Sequence, residues 1–237
     1  MKLKTLAVIP ARSGSKGIKD KNIKLLGRYP LIFYTIKQAL KSKIFDDIII
    51  STNSKKYLKI SEKYGVSSPF LRPKKLSSSE SLATDTIYHA VQNCENYFNT
   101  KYDLICMLQP TAPFRELADF KKVLQIMKKN YNKCDSVISV VDVDNYNPYK
   151  MKIIKKNKLF DYKKWPIENP PRQSLPKTYI VNGAFYLFKR NSFMKSKSFK
   201  GKYSIPYEMP KERSINIDSL IDFDLASIIL KKTKIIF

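Results

Sequence analysis

The chain has 237 residues, and its 45 Lys and Arg against 20 Asp and Glu give a formal charge of +25. Hydrophobic residues make up 43% and aromatics 12%, enough for one sizeable core, which excludes disorder over most of the chain and predicts a single domain over 1–237. Of the basic residues 38 are Lys and only 7 are Arg, spread along the chain, which argues against base readout of a nucleic acid and for a basic surface that suits small polyanionic substrates.

Taken in chain order, Leu3 to Ile9 is an apolar run that predicts a buried strand ending at Pro10. Ala11 to Asn22 is polar and predicts a loop. Leu31 to Leu40 has helical spacing. Asp47 to Ser51 predicts a second strand, and Lys55 to Tyr64 a helix stopped by Gly65. Phe70 and Leu71 suggest a short strand, and Ala83 to Cys94 a helix capped from Ser81 or Thr84. Asp103 to Leu108 is a third long strand, Leu117 to Lys129 a helix and Ser136 to Val141 a fourth strand. From Asn145 to Asn182 repeated prolines break helices, so 145–182 reads as an insertion or arm. Tyr179 to Phe188 predicts a strand, Ser214 to Asp218 a further one, and Ile221 to Lys231 a closing helix. Strands alternating with helices predict an α/β fold: an open, mostly parallel, Rossmann-like sheet with helices on both faces. Ligands in such sheets bind beyond the carboxyl ends of the strands, so the chemistry is expected after Ile9, Ser51 and Leu108.

Cys94, Cys106 and Cys134 have no CxxC spacing and are odd in number, which predicts reduced thiols rather than a zinc site or a disulfide framework. The run Leu6 to Pro10 is too short for a signal core or a membrane span, so a cytoplasmic, soluble protein without a membrane partner is expected. His89, the sole histidine, sits in a helical stretch and reads as structural.

Three places can carry chemistry. The first is the loop Ala11-Arg12-Ser13-Gly14-Ser15-Lys16-Gly17, followed by Lys21-Asn22. Its glycines allow close backbone approach, its N–H groups can cradle phosphate, and Arg12, Lys16 and Lys21 offset most of a triphosphate's charge. It is not a Walker A loop. The second is the turn Leu108-Gln109-Pro110-Thr111-Ala112-Pro113-Phe114-Arg115, where Gln109 offers both donor and acceptor. The third is Ser214-Ile215-Asn216-Ile217-Asp218: in a strand, Asn216 and Asp218 would share a face and offer two oxygens to Mg²⁺. Asp222, near the start of the last helix, reads as a cap or a further acidic group. Four of the seven arginines, Arg12, Arg72, Arg115 and Arg172, lie in or beside polar turns with proline, where planar forked donors are wanted.

These motifs together resemble the acylneuraminate cytidylyltransferase (CMP-sialic acid synthetase) family. The resemblance extends through Ser51-Thr52-Asn53, Leu71-Arg72-Pro73, Pro171-Arg172-Gln173, Asn182-Gly183-Ala184 and Ile217-Asp218 with Asp222, in the family's order over essentially the whole chain. Kdo cytidylyltransferases share Ile9-Pro10-Ala11-Arg12 but differ in the rest of the loop and in the turn, so the sialate-like branch is preferred; a CMP-Kdo synthetase-like enzyme and a non-catalytic nucleotide- or nucleic-acid-binding protein are the alternatives. The resemblance implies attack of a nonulosonic acid's anomeric hydroxyl on the α-phosphate of CTP, with Mg²⁺ or Mn²⁺. It implies triphosphate contact by Arg12, Lys16 and Lys21, and a nucleotide site completed by Ala11, Ser13, Gly14, Ser15, Asn22, Arg72 and Ser81. It implies a sugar site from Gln109, Lys150, Arg172 and Asn182, a metal on Asp218 with Asn216, and a homodimer whose arm carries Lys150 and Arg172 towards the neighbour. Asn216 stands where many members have Asp, which leaves the metal site one carboxylate fewer; Ile180 stands where sialate-specific members often have Arg, which opens the substrate to legionaminate or pseudaminate as well as N-acylneuraminate.

Overall fold

The computed structural model describes residues 3–15 and 17–232. Ten strands and six helices alternate along these residues, with short 3₁₀ turns between them. The strands are β1 (Thr5–Pro10), β2 (Leu25–Leu26), β3 (Tyr29–Pro30), β4 (Asp47–Ser51), β5 (Leu104–Met107), β6 (Ser136–Asp142), β7 (Lys152–Lys155), β8 (Lys158–Asp161), β9 (Tyr179–Lys189) and β10 (Ser204–Glu208). The helices are α1 (Leu31–Ser42), α2 (Lys55–Glu62), α3 (Ala83–Tyr97), α4 (Leu117–Lys129), α5 (Arg190–Ser196) and α6 (Leu220–Lys232).

Six strands form the central sheet in the order β10-β6-β9-β5-β1-β4. β1 pairs in parallel with β4 and β5, and β10 with β6, while β9 runs antiparallel between β5 and β6. The apolar runs are continuous because both faces are covered. Ala7, Ile9, Leu104 and Cys106 pack on one side with Ile32 and Ile36 of α1 and Phe120 and Val123 of α4. Leu6, Val8, Ile105 and Met107 face the other way, against Ile87 and Val91 of α3 and Phe193 of α5. A third cluster joins Leu26, Leu31 and Phe114 to Ile217 and Phe223, and so fastens α6 across the end of the sheet where the first loop leaves it.

Several expectations are corrected. Phe70 and Leu71 form no strand; the chain there follows the sheet edge as a loop, with Arg72 N–H donating to the Thr52 carbonyl at 2.7 Å. The helix from Ala83 has Leu82 at its N-cap and no side-chain cap, so neither Ser81 nor Thr84 serves. Ser81 instead donates to the Lys75 carbonyl at 3.0 Å. Ser214 to Asp218 is a loop, not a strand, because its partners are side chains and turn carbonyls.

The arm contains the hairpin of β7 and β8, paired only with each other and turned at Lys156 and Asn157, both with positive φ. Two consecutive left-handed residues match the twist of a two-residue hairpin. Ile154 and Leu159 of the hairpin are 74% and 67% exposed, an apolar surface that none of the described residues covers.

Candidate active site

The parallel strands end together at one edge of the sheet, with Pro10 opposite Ser51 and Val8 opposite Met107 in register. Beyond that edge lies an open cleft of about 480 Å³. Arg12, Lys21 and Arg72 supply its cations, and Gln109, Asn216 and Asp218 face it from the other side. The three sequence segments singled out for chemistry therefore converge, where an open sheet presents its ligand crevice.

The first loop is built onto the sheet edge by its backbone. Ala11 N–H donates to the Ser51 carbonyl at 2.9 Å, and Ser13 N–H and Oγ both reach Asn53 Oδ1, at 2.9 and 3.2 Å. Asn22 is buried and donates to the Arg12 carbonyl at 3.1 Å, closing the loop on itself. Gly14 takes φ +79°, whereas Gly17 is needed for proximity: a Cβ there would lie 2.6 Å from the Asp218 carbonyl oxygen. Ser15 lines the cleft. Lys16 lies outside the described residues. Arg12 gives one N–H to the Ser77 carbonyl at 3.3 Å, and its guanidinium has further donors for a ligand.

Arg72 is 5% exposed and gives Nε to Ser51 Oγ at 3.1 Å and Nη2 to the Ser51 carbonyl. Burial, and then the neighbouring Arg12, push its guanidinium down to about 10, so it is still a cation at neutral pH. Ser81 holds its turn through Ser78, whose N–H donates to Ser81 Oγ at 3.1 Å, and both serines line the cleft.

On the opposite wall, Lys21 Nζ donates to the Ile217 carbonyl at 2.7 Å and to Asp218 Oδ1 at 2.8 Å. Asn216 Nδ2 donates to Asp218 Oδ2 at 2.9 Å, so the two meet although their segment is not a strand. Asp222 accepts from the Ser219 and Asp218 N–H groups at 2.7 and 3.0 Å, while its own N–H reaches Ser219 Oγ at 3.3 Å. That is a capping box, so Asp222 acts as a cap for α6. Among the described residues no group of three or more His, Cys, Asp or Glu side chains is placed to hold a metal.

Gln109 is positioned from beneath. Arg115, fully buried, donates to the carbonyls of Gln109 at 2.7 Å and Ala184 at 2.6 Å and to Thr35 Oγ1 at 3.0 Å. Burial pushes its guanidinium down to about 9. Its fork ties the Gln109 turn to β9, a supporting task rather than ligand contact. At Gly183 φ is +77°, and a Cβ would stand 2.4 Å from Gln109 Oε1. Asn182 is buried under this wall: it accepts from Ser139 Oγ at 2.6 Å and donates to Ser214 Oγ at 2.9 Å, closing the bulge between β6 and β9. It is not among the residues lining the cleft.

Lys150 and Arg172 are also absent from that lining; Arg172 pairs with Asp144 at the root of the arm. His89 lies on α3 with its Nδ1 buried and unbonded and its ring edge-on to Phe70 at 5.0 Å. Burial, then Arg72 and Lys75, lower its pKa, and it stays outside the cleft. Asn53, named in the sequence only within Ser51-Thr52-Asn53 and given no role there, organises the first loop from just past a strand's carboxyl end. Asp144 escaped the sequence reading, since it carries no local motif.

Comparison with known proteins bears on this arrangement. A family model described as cytidylyltransferase matches residues 6–217. The N-acylneuraminate cytidylyltransferase of Escherichia coli is 34% identical over 98% of this chain and 53% of its own length, so the chain spans about half of that relative. The CMP-N,N'-diacetyllegionaminic acid synthase of Legionella pneumophila is 34% identical over 94% of both chains. The pseudaminic acid cytidylyltransferase of Campylobacter jejuni is 30% identical over 97% of both. A solved CMP-2-keto-3-deoxy-manno-octonic acid synthetase complexed with CTP superposes with a TM-score of 0.68 at 16% identity, covering 97% of this chain and 99% of that one, a likeness of fold. With the cleft at the strand ends and the family's motifs lining it, the chain belongs to the cytidylyltransferase family.

Proposed function

We propose that the protein activates a nonulosonic acid with CTP, releasing pyrophosphate and forming the CMP-sugar. The observation that carries this reading is the cleft itself, which gathers Arg12, Lys21 and Arg72 at the strand ends together with Gln109, Asn216 and Asp218. The oxygen of the sugar's anomeric hydroxyl forms a bond to the α-phosphorus, the bond from that phosphorus to the α,β-bridging oxygen breaks, and pyrophosphate leaves with the electron pair while the hydroxyl proton is lost. Such a transfer needs positioning and charge neutralisation. Arg12 and Lys21 bind the triphosphate with Lys16, the first loop's N–H groups cradle it, and Arg72 and Ser81 face the nucleoside. Gln109 orients the sugar from the far wall, steadied by Arg115.

Asp218 accepts here from Lys21 and from the Asn216 carboxamide nitrogen; with that carboxamide turned to present its oxygen, the two residues would hold a cation that takes one or two protein oxygens and completes its shell with phosphate and water. Mg²⁺ or Mn²⁺ there would supply further charge neutralisation on the phosphates.

The protein acts as a homodimer in the cytoplasm on this reading. The exposed apolar side chains of the arm support the dimer, with Lys150 and Arg172 directed to the neighbour's sugar, and three free, buried cysteines suit a reducing compartment. Among the described residues no helix is long and apolar enough to cross a membrane.

The test is pyrophosphate release with CTP and Mg²⁺ against neuraminic, legionaminic, pseudaminic and Kdo acids. Release that requires one of the first three is the expected result. Release with Kdo alone would move the chain to the eight-carbon branch, and CTP binding without turnover on any acid would reduce it to a nucleotide-binding protein.

A further inference from the structure

Asp144 stands where three otherwise separate segments meet. It follows β6 directly and holds φ +53°, a left-handed conformation that Asp and Asn tolerate better than most residues. Its own N–H donates to Asp142 Oδ1 at 2.8 Å, which fixes the turn. Its carboxylate, only a quarter exposed, forms an ion pair with Arg172 through Oδ1, which is buried and accepts no hydrogen bond among the described residues, and accepts from Lys211 at Oδ2. Arg172 belongs to the returning limb of the arm. Lys211 opens the loop that runs to Asn216 and Asp218. Like that loop, the arm has a second anchor: Asn147 Nδ2 donates to the Pro176 carbonyl at 2.9 Å at the arm's root.

The loop is held at further points. Arg213 pairs with the buried Asp119 of α4, Ser214 accepts from Asn182 at 2.9 Å, Ile217 N–H donates to the Thr111 carbonyl at 2.8 Å, and Lys21 Nζ donates to the Ile217 carbonyl at 2.7 Å and to Asp218 Oδ1 at 2.8 Å. A displacement of the arm that carries Arg172 therefore acts on the carboxylate that also restrains Lys211, seven residues before Asp218. Among the described residues no other acidic side chain pairs with Arg172 or Lys211, and a single anion between two cations responds to the loss of either one.

We infer that Asp144 is a positioning residue that couples the seating of the arm to the Asn216–Asp218 wall of the cleft. Its kinetic consequence rests on the cytidylyltransferase reading; the mechanical coupling does not. Asp144→Asn keeps the shape and the left-handed backbone and removes the charge. Backbone hydrogen exchange of the substrate-free protein reads the coupling at Ile217 and Asp218, whose N–H groups are bonded to Thr111 and Asp222. Exchange there is expected to accelerate about tenfold in Asp144→Asn, in Lys211→Met and in Arg172→Met, with Lys211→Met adding nothing further in the Asp144→Asn background. Lys211→Arg, which keeps the pair, is expected to restore protection. In turnover, Asp144→Asn is expected to lower kcat about tenfold with little change in KM for CTP, the pattern of lost positioning.

Unchanged exchange at Ile217 and Asp218 in Arg172→Met, or effects of Asp144→Asn and Lys211→Met that simply add, would overturn the coupling. A wild-type chain that releases no pyrophosphate with any acid would defeat the functional reading and leave the exchange result to decide the coupling alone.

Discussion

The cleft and the arm use the same kinds of residue to opposite ends. In the cleft, polar side chains are tied to neighbouring segments: Arg72 to Ser51 at the sheet edge, Asn22 to Arg12, Lys21 to Asp218 and Ile217. In the arm, Ile154, Leu159 and Ile167 face solvent, and the hairpin pairs with no other strand. The cleft is complete in its scaffold within one chain, whereas the arm presents a surface that a single chain does not cover. The lesson is that the same +25 chain separates a cleft whose cations are held by their neighbours from a hairpin with exposed apolar side chains, and substitutions in the two regions should fail in different ways.

The largest effect is expected at Arg12. Arg12→Ala removes a cation from the cleft without emptying the core, and pyrophosphate release should fall roughly 10² to 10³-fold with the melting temperature nearly unchanged. Full activity in that variant would break the assignment of the first loop to the triphosphate.

Next comes Arg115, which belongs to the cleft's support. Arg115→Met leaves the Gln109 and Ala184 carbonyls without their donor in a fully buried setting, and should cost about 3 kcal/mol of stability, read by denaturant unfolding. Loss of activity at full stability would instead place Arg115 on the ligand.

The arm should behave the other way. Leu159→Asp puts a charge on its exposed apolar face and should convert dimer to monomer in sedimentation while each chain stays folded within about 0.5 kcal/mol. A monomeric wild type would remove the arm from the dimer account.

The smallest effect lies far from both, at Glu95 on α3. Burial raises its carboxyl, but Arg190, Lys101 and the Tyr102 N–H outweigh that and hold it below its ordinary value. A depressed folded value means stability that is present above the unfolded pKa and lost as pH falls through the folded one. Glu95→Gln should cost about 2 kcal/mol at neutral pH, with the difference from wild type shrinking as the pH drops below 4.5, measured by urea unfolding across pH.

Much of this was legible in the chain because it rests on local rules. Apolar runs ending at Ile9, Ser51 and Leu108 marked strands covered on both faces, and the cleft lies beyond the carboxyl ends of the strands they became, at Pro10, Ser51 and Met107. The loop of Asn216 and Asp218 was placed correctly and shaped wrongly, since its partners, Lys21 and Asn182, lie far away in sequence. Arg115 read as a forked donor wanted in a polar turn; the fold turns that fork inward onto the Gln109 and Ala184 carbonyls, a direction that a turn motif does not carry. Ser81 read as a helix cap when it closes its own turn, and Asp144 gave no signal, because its meaning comes from Arg172 and Lys211, which only the fold brings to it.

The central claim is that the cleft joins the α-phosphate of CTP to a nonulosonic acid. The most direct measurement follows CTP labelled at its α-phosphorus through the reaction with such an acid and Mg²⁺. The account predicts the label in a CMP-sugar, with one pyrophosphate released for each. Label recovered as CMP alone, or retained in CTP with every acid of the panel, would contradict it.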